Sequence, residues 1–170
     1  IPTGTIVGVQ ISLLWPGFAK IVGQVISVPF QIEIFAFFLE ALFMSIYVYA
    51  ADKLPPFMRL ISLFFVMIGA TASAVLITSA NTWMNTPAGF SMGPDGSVFN
   101  VDPWKAFFNP SFGTSAFHVV ITAYTTGAAV IASIAGFKLL KKNLSKREVA
   151  YHKKGLLLGL VVTFITGATM

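Results

Sequence analysis

PFQIEIFAFFLEALFMSIYVYAA, residues Pro29 to Ala51, decides the class of this protein. The stretch has 23 residues and no charged side chain besides Glu33 and Glu40. About 20 helical residues, at about 1.5 Å rise each, cross a hydrocarbon core of about 30 Å. Outward from it lie four more apolar stretches: Pro2 to Leu14, which is incomplete as a span, Pro56 to Ala80, Thr114 to Leu140, and Gly155 to Met170, which reads as cut short. The whole chain of 170 residues agrees, with 56% hydrophobic and 10% charged residues and a mean hydropathy of +0.82. A soluble domain needs about 25% charged residues to cover its surface, so an aqueous globule is excluded. The expected fold is all-α, an integral membrane helical bundle of about five transmembrane segments, the first and last incomplete. Residues 1–170 form one such domain. The chain begins at Ile1 without an initiator Met and stops inside an apolar run, so it reads as part of a larger multi-helix subunit.

The connections fix an orientation. Trp15 to Val28 carries Pro16, Gly17, Lys20 and Gly23 and reads as an interfacial or re-entrant segment. Residues 81–112 contain NTP, GPDG, DPW and NPSFG, a density of turn residues that marks an extramembrane loop. Of the 11 Lys and Arg, 7 fall between Lys138 and Lys154, two more (Lys53 and Arg59) flank the turn after Ala51, and the 81–112 loop has only Lys105. Basic residues collect on the inner side of membranes, which puts 138–154 inside and 81–112 outside. The net charge of +5 is thereby explained by the lipid bilayer, and no nucleic acid partner is implied. With no Cys, disulfides, thiol redox chemistry and Cys-ligated metals drop out. Phosphate-binding Gly loops, HExxH and GxSxG are missing too.

Some polar residues remain inside the apolar runs. A carboxylate at the centre of a spanning helix costs about 2.5 to 3.5 kcal/mol, so Glu33 and Glu40 must face protein or water. Seven residues apart, they project from one face about 10 Å apart along the axis. Either they tie helices together by hydrogen bonds or they relay protons. His118, in SFGTSAFHVVITAYTTGAAV, lies on a stripe with Thr114, Ser115, Thr122, Thr125 and Thr126. It can be a hydrogen-bonded core residue, a protonatable switch, or a metal or haem ligand. Most Ser and Thr in such helices bond their own backbone. Ser73 is set apart as a hydroxyl to follow. Trp15, Trp83, Trp104 and Tyr124 read as an interfacial aromatic belt, and His152, among basic residues, is given no function.

Longer motifs carry a resemblance. IEIFAFFLEALF (Ile32 to Phe43), the turn AADKLPP, SAVLITSANTWMNTPAGF (Ser73 to Phe90) and FNPSFGTSAFHVVITAYTTGA (Phe108 to Ala128) resemble the larger subunit of cytochrome bd quinol oxidase over nearly the whole chain. The resemblance implies a respiratory terminal oxidase in the plasma membrane of a prokaryote, oxidising quinol and reducing oxygen to water. It implies that His118 is an axial ligand of a low-spin b haem, that Glu33, Glu40 and Ser73 line a proton path, and that the complete protein holds further high-spin b and d haems. It also implies a second membrane subunit and allows a very small third. Around Val9 to Trp15 the chain reads VQISLLW, where the family has an acidic residue and a polar, Gly-containing segment, so this is a divergent member whose haem composition need not be standard. Other haem ligands and the quinol loop are expected outside this chain. The competing functions are a proton-coupled membrane transporter and a haem-free structural membrane subunit.

Overall fold

The computed structural model describes residues 2–141 and 144–170. Its helices are α1 (Pro2–Leu14), α2 (Pro16–Val25), α3 (Ser27–Ala50), α4 (Pro56–Asn85), α5 (Pro103–Phe107), α6 (Phe112–Leu139) and α7 (Lys146–Ala168), with a 3-10 turn at Ala51–Lys53. A two-residue hairpin, β1 (Ser91–Met92) with β2 (Val98–Phe99), pairs antiparallel in the loop after α4. The protein is an all-α membrane bundle. Four helices, α3, α4, α6 and α7, are long and apolar enough to span a bilayer. α1, with 13 residues, reaches only about 20 Å, and α2, with 10 residues, only about 15 Å. Large apolar side chains such as Phe35, Phe38 and Leu157 point outward, because the surrounding solvent is hydrocarbon.

Helix ends follow local chemistry. α4 runs through Asn85, five residues into the stretch read as loop. The Thr82 hydroxyl donates to the Thr78 carbonyl at 2.9 Å and Asn85 Nδ2 to the Asn81 carbonyl at 3.0 Å, so these polar side chains are satisfied on the helix itself. Pro87 then disfavours helix at Thr86 and ends it. α5 starts at Asp102, whose carboxylate accepts from the Trp104 and Lys105 amides at 3.1 Å each. In the basic 138–154 stretch α6 runs on to Leu139 and α7 starts at Lys146. α7 opens there with a capping box, Ser145 and Glu148 each bonding the other's backbone amide.

The chain divides into two compact units, residues 1–116 and 117–170. In the first, α3 and α4 run antiparallel along a seam of sevenfold spacing. Pro29, Ala36 and Phe43 lie on α3, and Ser62, Gly69, Leu76 and Trp83 on α4. Phe43 stacks on Phe65 at 4.5 Å between ring centroids, and Ala36 packs with Leu76, Phe107 and the half-buried Ala72 and Phe112. Beyond it, Val25, Ile26, Ala80, Trp83 and Ala106 form a second buried cluster that gathers α2, the end of α4 and α5. In the second unit α6 and α7 cross at Gly159. A Cβ there would lie 2.7 Å from the Ala128 carbonyl oxygen and 2.8 Å from the Ala132 nitrogen. Small residues at such crossings let backbones approach, which matters where lipid tails compete equally for apolar side chains.

Candidate functional site

Glu33 and Glu40 are both half-buried on one side of α3, beside the seam. Their spacing of two turns sets their backbones about 10 Å apart. The Ser73 hydroxyl on α4 donates to Glu33 Oε1 at 3.4 Å. The structure therefore brings together two of the four residues singled out, 40 positions apart in the chain. Glu40 sits at a close approach of the two helices, its backbone against Gly69. Among the described residues no hydrogen bond to the Glu40 carboxyl is found. A hydroxyl against one carboxyl, with a second carboxyl two turns along the same face, can hold and pass protons provided water or another group bridges the gap.

His118 lies on α6 in the second unit and is exposed. Its main-chain carbonyl accepts the Thr122 hydroxyl at 2.7 Å, while its ring makes no hydrogen bond among the described residues. Thr125 and Thr126 likewise bond carbonyls four residues back, at 2.8 Å each. Three hydroxyls of the polar stripe, those of Thr122, Thr125 and Thr126, thus bond carbonyls of their own helix, which leaves the imidazole available as a donor. Among the described residues no three His, Asp or Glu side chains gather to hold a metal ion. One imidazole on an apolar helix surface suits an iron that brings its own macrocyclic nitrogens, and in that sense the donor set fits haem.

Sequence reading missed the polar clamp under the loop that follows α4. Asn109 is 3% exposed. Its Nδ2 donates to the Ser79 and Ala106 carbonyls at 3.1 and 3.2 Å, and its Oδ1 accepts from the Thr86 hydroxyl at 3.2 Å. The Ser79 hydroxyl donates to the Phe107 carbonyl at 2.7 Å. Trp83, read as part of an interfacial belt, is instead a core residue at 4% exposure, its indole N–H donating to the Ala88 carbonyl at 3.0 Å. Trp15, Trp104 and Tyr124 do remain exposed. The signal for Trp83 was available, since it falls on the sevenfold repeat with Gly69 and Leu76.

A family model described as cytochrome bd terminal oxidase subunit I matches residues 1–170. The chain belongs to that family. It is 56% identical over 162 residues to a Bacillus subtilis (strain 168) protein provisionally named cytochrome bd menaquinol oxidase subunit I, covering 95% of this chain and 36% of the relative. It is 32% identical over 166 residues to cytochrome bd ubiquinol oxidase subunit 1 of the same organism, covering 97% of this chain and 34% of the relative. Among solved structures, the bd oxidase of Geobacillus thermodenitrificans matches with a TM-score of 0.84 and 46% identity, covering 98% of this chain and 38% of that one. The chain thus spans little more than a third of the length of the relatives it matches.

Proposed function

We propose that this chain is part of a terminal oxidase subunit that oxidises quinol and reduces oxygen to water in a prokaryotic plasma membrane. It would work with a second membrane subunit and with room for a very small third. The observation that carries the reading is the Ser73 to Glu33 contact, with Glu40 two turns along the same face, in a chain of the bd oxidase subunit I family. Reducing one oxygen molecule to water takes four electrons and four protons, so a reaction buried in hydrocarbon needs protonatable groups inside the membrane.

Haem, when bound, supplies the one-electron transfers and the chemistry at oxygen. His118 would hold the low-spin b haem through one ring nitrogen, and the other haems, high-spin b and d, take ligands from elsewhere in the full subunit. Glu40, nearer the inner side in the orientation set by the basic residues, takes up a proton first. Glu33 accepts it next, and the Ser73 hydroxyl fixes the orientation of the Glu33 carboxyl. Protons from quinol leave on the outer side, and charge separation follows without a pump.

The test is a visible spectrum of the complete purified complex. Reduced-haem bands are expected, and His118→Ala should remove the low-spin component while the bundle still assembles. A colourless, fully assembled complex overturns the oxidase reading in favour of a proton-coupled transporter or a haem-free structural subunit. An unchanged spectrum in His118→Ala removes that residue as ligand. Glu40→Gln should slow oxygen consumption at least about tenfold with haem bands intact, and wild-type turnover would return Glu40 to tying helices together.

A further inference from the structure

Gly69 is buried on α4, close against α3. A Cβ on it would stand 2.9 Å from the Ala36 carbonyl oxygen, 2.9 Å from the Glu40 amide nitrogen and 3.0 Å from Glu40 Cβ. All three are backbone or first side-chain atoms, which cannot swing aside; only a displacement of α3 would relieve the clash. One of the two intramembrane carboxyl residues is therefore held from across the seam by the absence of a side chain. One turn further along α4, Ser73 meets Glu33. In an antiparallel pair two such contacts, Gly69 on Glu40 and Ser73 on Glu33, fix both the height and the rotation of α3.

The two carboxyls are held differently. Glu33 has a hydrogen-bond partner from α4. With no hydrogen bond to the Glu40 carboxyl among the described residues, its place depends on where its backbone is set. We propose that Gly69 is a positioning residue for Glu40, fixing from α4 the point at which that carboxyl enters the proton path. The inference rests on the reading of Glu40 as a proton carrier. The alternative is that Gly69 only permits close packing, and the same chain supplies a control for it. Gly159 makes an equally tight crossing, its would-be Cβ lying 2.7 Å from the Ala128 carbonyl oxygen and 2.9 Å from Ala132 Cβ. No carboxyl lies within a turn of that crossing on either helix.

The experiment uses the complete oxidase with Gly69→Ala, Glu40→Gln, the double variant and Gly159→Ala. Haem absorbance, oxygen consumption across pH and the infrared band of the Glu40 carboxyl are measured, that band being assigned by its loss in Glu40→Gln. Gly69→Ala should keep the haem bands, lower oxygen consumption about tenfold, shift its pH profile and move the Glu40 band. In the Glu40→Gln background it should add less than about twofold, because the two changes act through one group. Gly159→Ala should leave pH profile and band in place. A wild-type band and pH profile in Gly69→Ala, multiplying effects in the double variant, or the same shifts in Gly159→Ala would each overturn the proposal. If Glu40→Gln turns over normally, the proton-carrier reading fails, while the band still reports whether Gly69 positions the carboxyl. Should Gly69→Ala not assemble, Ala36→Gly loosens the same crossing without added bulk. It should broaden the Glu40 band, and an unchanged band overturns the proposal.

Discussion

Asn109 is a polar side chain closed in among backbone carbonyls, and its amide is the shared partner of Ser79, Ala106 and Thr86. Removing a buried hydrogen-bonding group leaves its partners to bear their desolvation, about 1 to 3 kcal/mol. Asn109→Ala should therefore lower the thermal midpoint of the assembled protein, and an unchanged midpoint would mean that the clamp is not needed. Asp95, in the hairpin turn, is a second residue with a defined consequence. Its Oδ1 accepts the Ser97 hydroxyl at 2.7 Å and the Ser97 amide at 3.2 Å. The hydroxyl first, then the amide, holds its carboxyl below the ordinary value of 3.8. A carboxylate lowered on folding stabilises the turn above its unfolded pKa, and that contribution is lost as pH falls through the lowered folded value. The Asp95 carboxyl carbon shift should titrate with a midpoint below 3.8, and Ser97→Ala should raise that midpoint; a midpoint unaffected by the substitution contradicts the assignment.

At the scale of elements, α6 and α7 meet through small residues and a polar pair. The Thr125 and Thr166 hydroxyls lie 2.7 Å apart, while each also bonds a carbonyl on its own helix, those of Ile121 at 2.8 Å and Val162 at 2.7 Å. Interhelical hydrogen bonds in bilayers average about 0.6 kcal/mol. Thr166→Val keeps the shape and removes the pair, so unfolding from lipid or detergent should shift by roughly that amount; a loss of several times as much would show that the pair does more than join two self-satisfied hydroxyls. The apolar runs, and hence the four spanning helices, were legible because burial in lipid needs only length and hydropathy. The crossings at Gly69 and Gly159 were not. Hydropathy treats a lipid-facing and a helix-facing position alike, and only the partner's backbone makes a missing Cβ matter. The end of α4 was misread for a related reason, since Thr82 and Asn85 are turn formers by type but back-bond to their own helix here.

For the molecule as a whole, charge placement predicts an orientation. Seven basic residues between Lys138 and Lys154 face one acidic residue, Glu148, whose carboxylate is taken up by Ser145 in the capping box. Among the described residues the one ion pair is Lys105 with Asp102, at 3.9 Å in the other loop. Such unneutralised charge supports the proposed placement of this stretch at the inner membrane surface. The chain has no Cys, so single cysteines report sidedness cleanly. In intact cells a membrane-impermeant maleimide should label Ser97→Cys, and it should reach Lys153→Cys only after permeabilisation; the reverse pattern would invert the orientation and with it the direction of the proposed proton path from Glu40 to Glu33.

The sequence by itself determined the membrane class, the apolar spans, the polar residues within them and, through the motifs around Glu40, Trp83 and His118, the family. These follow from local composition and pattern, which a chain carries whether folded or not. The tertiary structure decided which of those residues meet. It joined Ser73 to Glu33, buried Trp83, closed the Asn109 clamp, and set Gly69 against the Glu40 backbone. The Ser73 and Gly69 contacts depend on the register of the antiparallel α3 and α4, and those of Trp83 and Asn109 on how the chain after α4 folds back on its end; both are set by steric fit between backbones, a property of pairs of elements that no single stretch contains.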